Sequence, residues 1–133
     1  MHVQLGSWAD FARLIAAGAL VTACAGPRAA DDVRVTWNTA TTPAVGEPLV
    51  ADVTLETADG VPVTGASLEI EGHMSHPGMA PVLAAAEEQE DGTYVVRFEL
   101  TMAGDWIVLV KGVLPDGRTV SHRVDIANVQ PSG

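Results

Sequence analysis

Two-residue alternation of apolar and polar side chains, restarted after each turn, is what most limits the folds open to this chain. Tyr94, Val96, Phe98 and Leu100 alternate with Val95, Arg97 and Glu99. Leu49, Ala51, Val53 and Leu55 do the same against Val50, Asp52, Thr54 and Glu56, as do Val33, Val35 and Trp37 against Arg34 and Thr36. Ser67 to Glu71 puts Leu68 and Ile70 on one side, and Val120, His122, Val124 and Ile126 oppose Thr119, Ser121, Arg123 and Asp125. Successive strand side chains point to opposite faces, so these segments read as half-buried strands. Val82 to Glu87 reads as a weaker strand and Val61 to Val63 as a short one. Trp106 to Val113 (WIVLVKGV) is almost continuously apolar, as expected of a central strand covered on both sides. Ala58-Asp59-Gly60 and Leu114 to Arg118 are turn sequences, and the acidic run Glu87 to Gly92 reads as a solvated hairpin turn. No stretch has convincing helical periodicity. The expected fold is all-β, an antiparallel sandwich of about seven strands, with Trp37, Tyr94, Phe98 and Trp106 as its large core members.

The first 23 residues stand apart from this pattern. Leu14 to Ala23 (LIAAGALVTA) is a short apolar run preceded by Arg13. A bilayer span needs about 20 apolar residues, so the run is read as a secretory signal core. It ends in Val21-Thr22-Ala23-Cys24, which resembles a bacterial lipobox, and Cys24 is the only cysteine in the chain. The expectation is that residues 1–23 are a lipoprotein signal peptide and that Cys24 carries lipid. Residues 24–32 would then be a tether, and residues 33–128 the folded domain. The protein would sit at the cell envelope, held to the membrane and facing the periplasm or exterior. A lone cysteine excludes an intramolecular disulfide. If that cysteine is lipidated, a blue-copper centre, which needs cysteine in the site, is excluded too.

Seven basic and 17 acidic side chains give the chain a net charge of −10. That balance argues against a nucleic-acid partner. A catalytic reading has little to stand on. Ser121 and His122 are neighbours on one strand and point to opposite faces, and no paired carboxylates accompany a nucleophile. The expectation is that the protein is not an enzyme.

Chemistry concentrates in Gly72-His73-Met74-Ser75-His76-Pro77-Gly78-Met79-Ala80-Pro81. Beyond residue 23 the chain has three histidines and three methionines, and four of those six lie between 73 and 79. Imidazole and thioether both ligate metals, and soft thioether sulfur selects Cu(I) over hard cations. His76-Pro77-Gly78-Met79 suits a type II turn, with Pro fixing φ and Gly accepting positive φ. Such a turn holds the outer Cα atoms within ~7 Å. If the chain entering the turn is extended, Met74 shares a face with His76, so Met74, His76 and Met79 converge while His73 and Ser75 point away. The competing reading is a contact surface without metal, since methionine-rich surfaces also bind partners.

Three stretches together carry a resemblance: Gly72-His-Met-Ser-His-Pro-Gly-Met79, Asp91-Gly-Thr-Tyr94, and Phe98-Glu-Leu-Thr-Met-Ala-Gly-Asp-Trp106. From about Val33 to Ile126 the chain resembles the YtkA-like domain, which is related to FixH. The resemblance implies a small extracytoplasmic domain, an immunoglobulin-like β-sandwich, linked to copper handling. FixH-type members are associated with maturation of a haem–copper oxidase, but they carry a membrane-spanning helix where this chain has its lipobox. The resemblance implies Met74, His76 and Met79 as loop ligands for copper, expected as Cu(I); the expected partners are the copper ion, the membrane through the lipid anchor, and a copper-accepting envelope protein. Met102, in the Met-x-Gly-x-Trp corner, continues the inward parity of Leu100, and is either a fourth ligand or a core methionine. His122 has inward parity as well and is read as a satisfied core histidine.

Overall fold

The computed structural model describes residues 28–76 and 78–132. Among the described residues there is no helix, and seven strands carry the fold: β1 (Val33–Thr39), β2 (Pro48–Thr57), β3 (Ser67–Met74), β4 (Val82–Glu88), β5 (Thr93–Glu99), β6 (Gly104–Val113) and β7 (Thr119–Val129). They form where the alternation is regular, and burial follows it. Leu49, Ala51, Val53 and Leu55 of β2 and Tyr94, Val96 and Phe98 of β5 are buried, and the residues between them are half-buried or exposed.

Every strand pairing is antiparallel, in the order β1-β2-β5-β4-β3-β6-β7. Divided as β1-β2-β5-β4 and β3-β6-β7, this is the strand order of a constant-type immunoglobulin sandwich. β4 joins the two layers. Its first part pairs with β3 (Val82 to Ala85) and its second with β5 (Ala86 to Glu88). The apolar faces of both layers meet in one core that includes Leu55, Ile70, Tyr94, Leu100, Trp106 and Val110. Burying one such aliphatic side chain contributes about 1.5–3 kcal/mol. Trp37 is only half-buried on edge strand β1, where its ring lies 6.1 Å from that of Phe98.

The acidic turn is a hairpin, as expected. Asp91 and Gly92 both take positive φ (54° and 73°), and Thr93 N–H donates to Glu90 C=O at 3.0 Å. Positive φ at both central positions defines a type I′ turn, whose twist matches the flanking strands.

Three expectations are corrected. The described part of the tether, residues 28–32, is docked on the domain. Ala29 bridges Thr119, Ala30 is buried with its N–H donating to Thr119 C=O at 2.8 Å, and Arg118 pairs with Asp32 at 2.5 Å. Small alanines let this segment lie against β7 without displacing core side chains. β6 is covered on one face only: Trp106, Val108 and Val110 are buried, while Ile107 and Leu109 are half-buried and Val113 is 50% exposed. Among the described residues no third layer covers that outer face, where Ile107 and Leu109 stand between His73 and Glu71 of β3 and Asp125 and Arg123 of β7. The short strand at Val61 to Val63 reduces to one bridge, Glu56 to Pro62, closed by Thr57 N–H donating to Val61 C=O at 2.8 Å and Val63 N–H to Leu55 C=O at 2.9 Å. The signal peptide and Cys24 lie outside the described residues.

Antiparallel order sorts the loops to two ends. Residues 40–47, 75–81 and 100–103 share one end, with Gly46 N–H donating to Leu100 C=O and Val45 N–H to Gln130 C=O, both at 3.0 Å. Residues 28–32, 58–66, 89–92 and 114–118 share the other.

Candidate metal centre

β3 ends where β6 begins. Met74 is the Cα partner of Trp106, so the Met/His loop and the Met102 corner leave the sandwich side by side. Inward positions of β3 run Leu68, Ile70, Gly72 and Met74. Gly72 lies against the indole: an added Cβ would be in ordinary van der Waals contact, 3.6 Å from the Trp106 ring and from Val82. Trp106 is buried, and its Nε1–H donates to the Met102 carbonyl at 2.8 Å. A register shift interrupts the β6–β7 ladder between Gly104 and Trp106, and Gly104 takes φ +121°, a conformation that favours glycine. The Met74 methyl lies 3.3 Å from where a Gly104 Cβ would be. The backbone turn and the missing side chain at Gly104 thus let Met74 close against the corner that carries Met102.

The four expected ligands stand as follows. Met74 is half-buried and packed against the core, whereas Met79 and Met102 are 42% and 44% exposed. Met102 is therefore not a core methionine: β5 stops at Glu99, and inward parity ends with the buried Leu100. His76 is exposed in a bend beyond the end of β3, so strand alternation does not carry past Met74, and the bend rather than the pleat sets where His76 points. Gly78 takes φ +87°, the positive φ the turn sequence calls for, and a Cβ there would meet nothing within 4 Å. Pro77 lies outside the described residues.

The remaining histidines are elsewhere. His73 is on the outer face of β3, where its Nε2 bonds the Glu71 carboxylate at 3.1 Å. Lys111 also pairs with Glu71, and the Lys111 and His73 hydrogen bonds hold that carboxyl below its ordinary value. His122 pairs with Val110, four positions along β6 from Trp106. At ~3.4 Å per residue this puts it ~14 Å from the corner, so His122 does not complete the group at the loop end.

Loops 75–81 and 100–103 contain no Asp, Glu, Lys or Arg. Among the described residues no three His, Cys, Asp or Glu side chains gather as a metal site. What these two loops and the end of β3 offer is neutral and soft: three thioethers and one imidazole, two of the thioethers open to solvent. A concavity of about 500 Å³ bordered by Glu69, Lys111, Val113 and Thr119 lies toward the opposite end. The Met-x-Gly-x-Trp corner is visible in the sequence, but what its Gly and Trp do there is not. A glycine and an indole flanking a polar loop position are the available signal.

No curated protein matches the chain. The family model described as YtkA-like matches residues 28–111, a span that takes in Met74, His76, Met79, Met102 and the Trp106 corner, and the chain belongs to the YtkA-like family.

Proposed function

We propose that this protein is an extracytoplasmic, lipid-anchored copper-binding protein that holds or passes Cu(I) through Met74, His76, Met79 and Met102. The observation that carries the proposal is the Met74–Trp106 pairing, which sets the Met/His loop, residues 75–81, beside the Met102 corner, residues 100–103, two segments without ionic side chains. Uncharged thioether and imidazole donors match a soft, monovalent ion. Solvent exposure of Met79 and Met102 lets an incoming ligand reach the metal, which suits exchange with a copper-accepting envelope protein. Lipid on Cys24 would supply the membrane attachment. The chain would act as a binding module and not a catalyst. In support, Ser121 is exposed on the outer face while His122 takes the half-buried alternate position, so the two do not form a nucleophile–base pair.

The test is titration of the full chain with Cu(I), Cu(II) and Zn(II), read by native mass spectrometry. One Cu(I) per chain, retained under reductant and in preference to Zn(II), is the expected result. A preference for Zn(II), or no bound metal, would overturn the proposal and favour a purely interactive module.

A further inference from the structure

We infer that Trp106 is a positioning residue, whose indole N–H sets the Met102 thioether beside Met74 so that the two bind the same ion. The inference rests on the Cu(I) reading above and adds what holds the site together.

Met102 lies outside any strand, in a loop with no ladder bonds of its own, and nearly half its surface is exposed. Left to itself, such a position would sample many conformers, and ordering it on metal binding would cost affinity. The Trp106 Nε1–H bond to the Met102 carbonyl removes part of that freedom in advance. A buried indole N–H needs an acceptor. Here the acceptor is the backbone of the exposed methionine, so the bond couples the core to the loop. The indole is itself held in the core, buried and packed against Gly72. Trp106 also pairs with Met74 in the ladder, so one residue references both thioethers to a single rigid strand. Gly104 completes the device, since its φ of +121° turns the chain between Met102 and Trp106 and its missing Cβ admits the Met74 methyl.

The test compares the full-length wild type with Met102→Leu, Trp106→Phe and Trp37→Phe, reading Cu(I) affinity by chelator competition and copper–sulfur coordination by X-ray absorption. Met102→Leu should lose one sulfur scatterer. Trp106→Phe keeps an aromatic ring but not the N–H; it should weaken Cu(I) binding about tenfold, some 1.4 kcal/mol, and lower the average sulfur count. Trp37→Phe, on edge strand β1, should leave both unchanged. A general loss of stability would lower affinity without changing how many sulfurs the bound ion sees, which separates positioning from folding. Should Trp106→Phe not fold, the wild-type protein still decides: the Trp106 indole proton resonance must shift on Cu(I) addition, and that of Trp37 must not. An unchanged sulfur count in Met102→Leu, or an unmoved Trp106 resonance, would overturn this inference while leaving Cu(I) binding intact. Absence of Cu(I) binding by the wild type would overturn both.

Discussion

Met74 stands directly across the β3–β6 ladder from Trp106, and that one register decides which donors meet. A one-residue slip would turn every β3 side chain to the other face. It would turn Glu71 and His73 inward and present Met74 outward. The register is held by Leu68, Ile70 and Gly72 on the inner side, all buried. The chemistry of the loop end is thus secured by apolar packing along the strand that leads to it.

Met79→Leu keeps volume and hydrophobicity but removes the sulfur. Met79 is 42% exposed, so stability should change by less than ~0.5 kcal/mol. Cu(I) affinity should fall at least about tenfold. His73→Ala, on the opposite face beside Glu71, should leave affinity unchanged. Chelator competition and urea denaturation of the two variants check both halves; equal affinities would remove Met79 from the site.

Gly78→Val retains every proposed ligand and alters only the turn. No atom lies within 4 Å of the added carbon, so steric collision is not the issue. The cost comes from φ +87°, which a β-branched residue strongly disfavours. Cu(I) binding should weaken with the thermal midpoint nearly unchanged, because the turn is exposed and outside the strands. Unaltered Cu(I) affinity would mean that the turn does not organise His76 and Met79.

Cys24→Ser tests the anchor. Expressed in a bacterial host, the wild type should partition with membranes, and the variant should be released or stay unprocessed. Since residues 28–32 dock at the end opposite the Met/His loop, a lipid at Cys24 would leave that loop on the far side of the domain. Fully soluble fractions for both forms would remove the anchor from the proposal.

Gly92→Ala should be among the most destabilising single-methyl additions. A Cβ there would stand 2.7 Å from the Leu55 carbonyl and 3.0 Å from the Val63 nitrogen, and φ is +73°. Backbone atoms cannot step aside as a side chain can, so a loss of about 1–3 kcal/mol is expected. Equilibrium urea unfolding measures it directly, and a loss below ~0.5 kcal/mol would show that the β4–β5 turn can shift away from β2.

Glu71 predicts a direction for acid sensitivity. Its carboxyl is held below the ordinary value of 4.5, first by Lys111 and then by His73. A depressed folded-state pKa means the unfolded chain takes up the proton first. The stabilisation is therefore complete above the unfolded value and is lost as pH falls through the lower folded one. Asp116, lowered by the Arg118 backbone N–H and side chain, acts in the same sense. Stability of the wild type should fall as pH drops through and below the ordinary carboxylate range, and Glu71→Gln should fall less steeply. Added salt should shrink the difference, because both partners are solvent-accessible. Identical acid profiles for the two proteins would show that Glu71 contributes nothing.

The sequence by itself determined the elements and their faces. Alternation in β2, β5 and β7 named the inward positions correctly because a strand's side-chain period is local and independent of its neighbours. Asp91-Gly92 specified its hairpin turn for the same reason. Pairing was another matter. That β4 divides itself between β3 and β5, that Ala30 docks against β7, and that Ile107 and Leu109 look outward all depend on which chain segments lie alongside. Parity through Leu100 carries Met102 inward, but β5 ends at Glu99 and the chain then bends so that Trp106 can bond the Met102 carbonyl. As inward-parity donors, His122 and Met102 are equivalent in the sequence. Only the β6–β7 register separates them, placing His122 at mid-strand opposite Val110 and leaving Met102 at the end where Met74 emerges. Local pattern sets what a residue can face, and long-range register sets what it meets there.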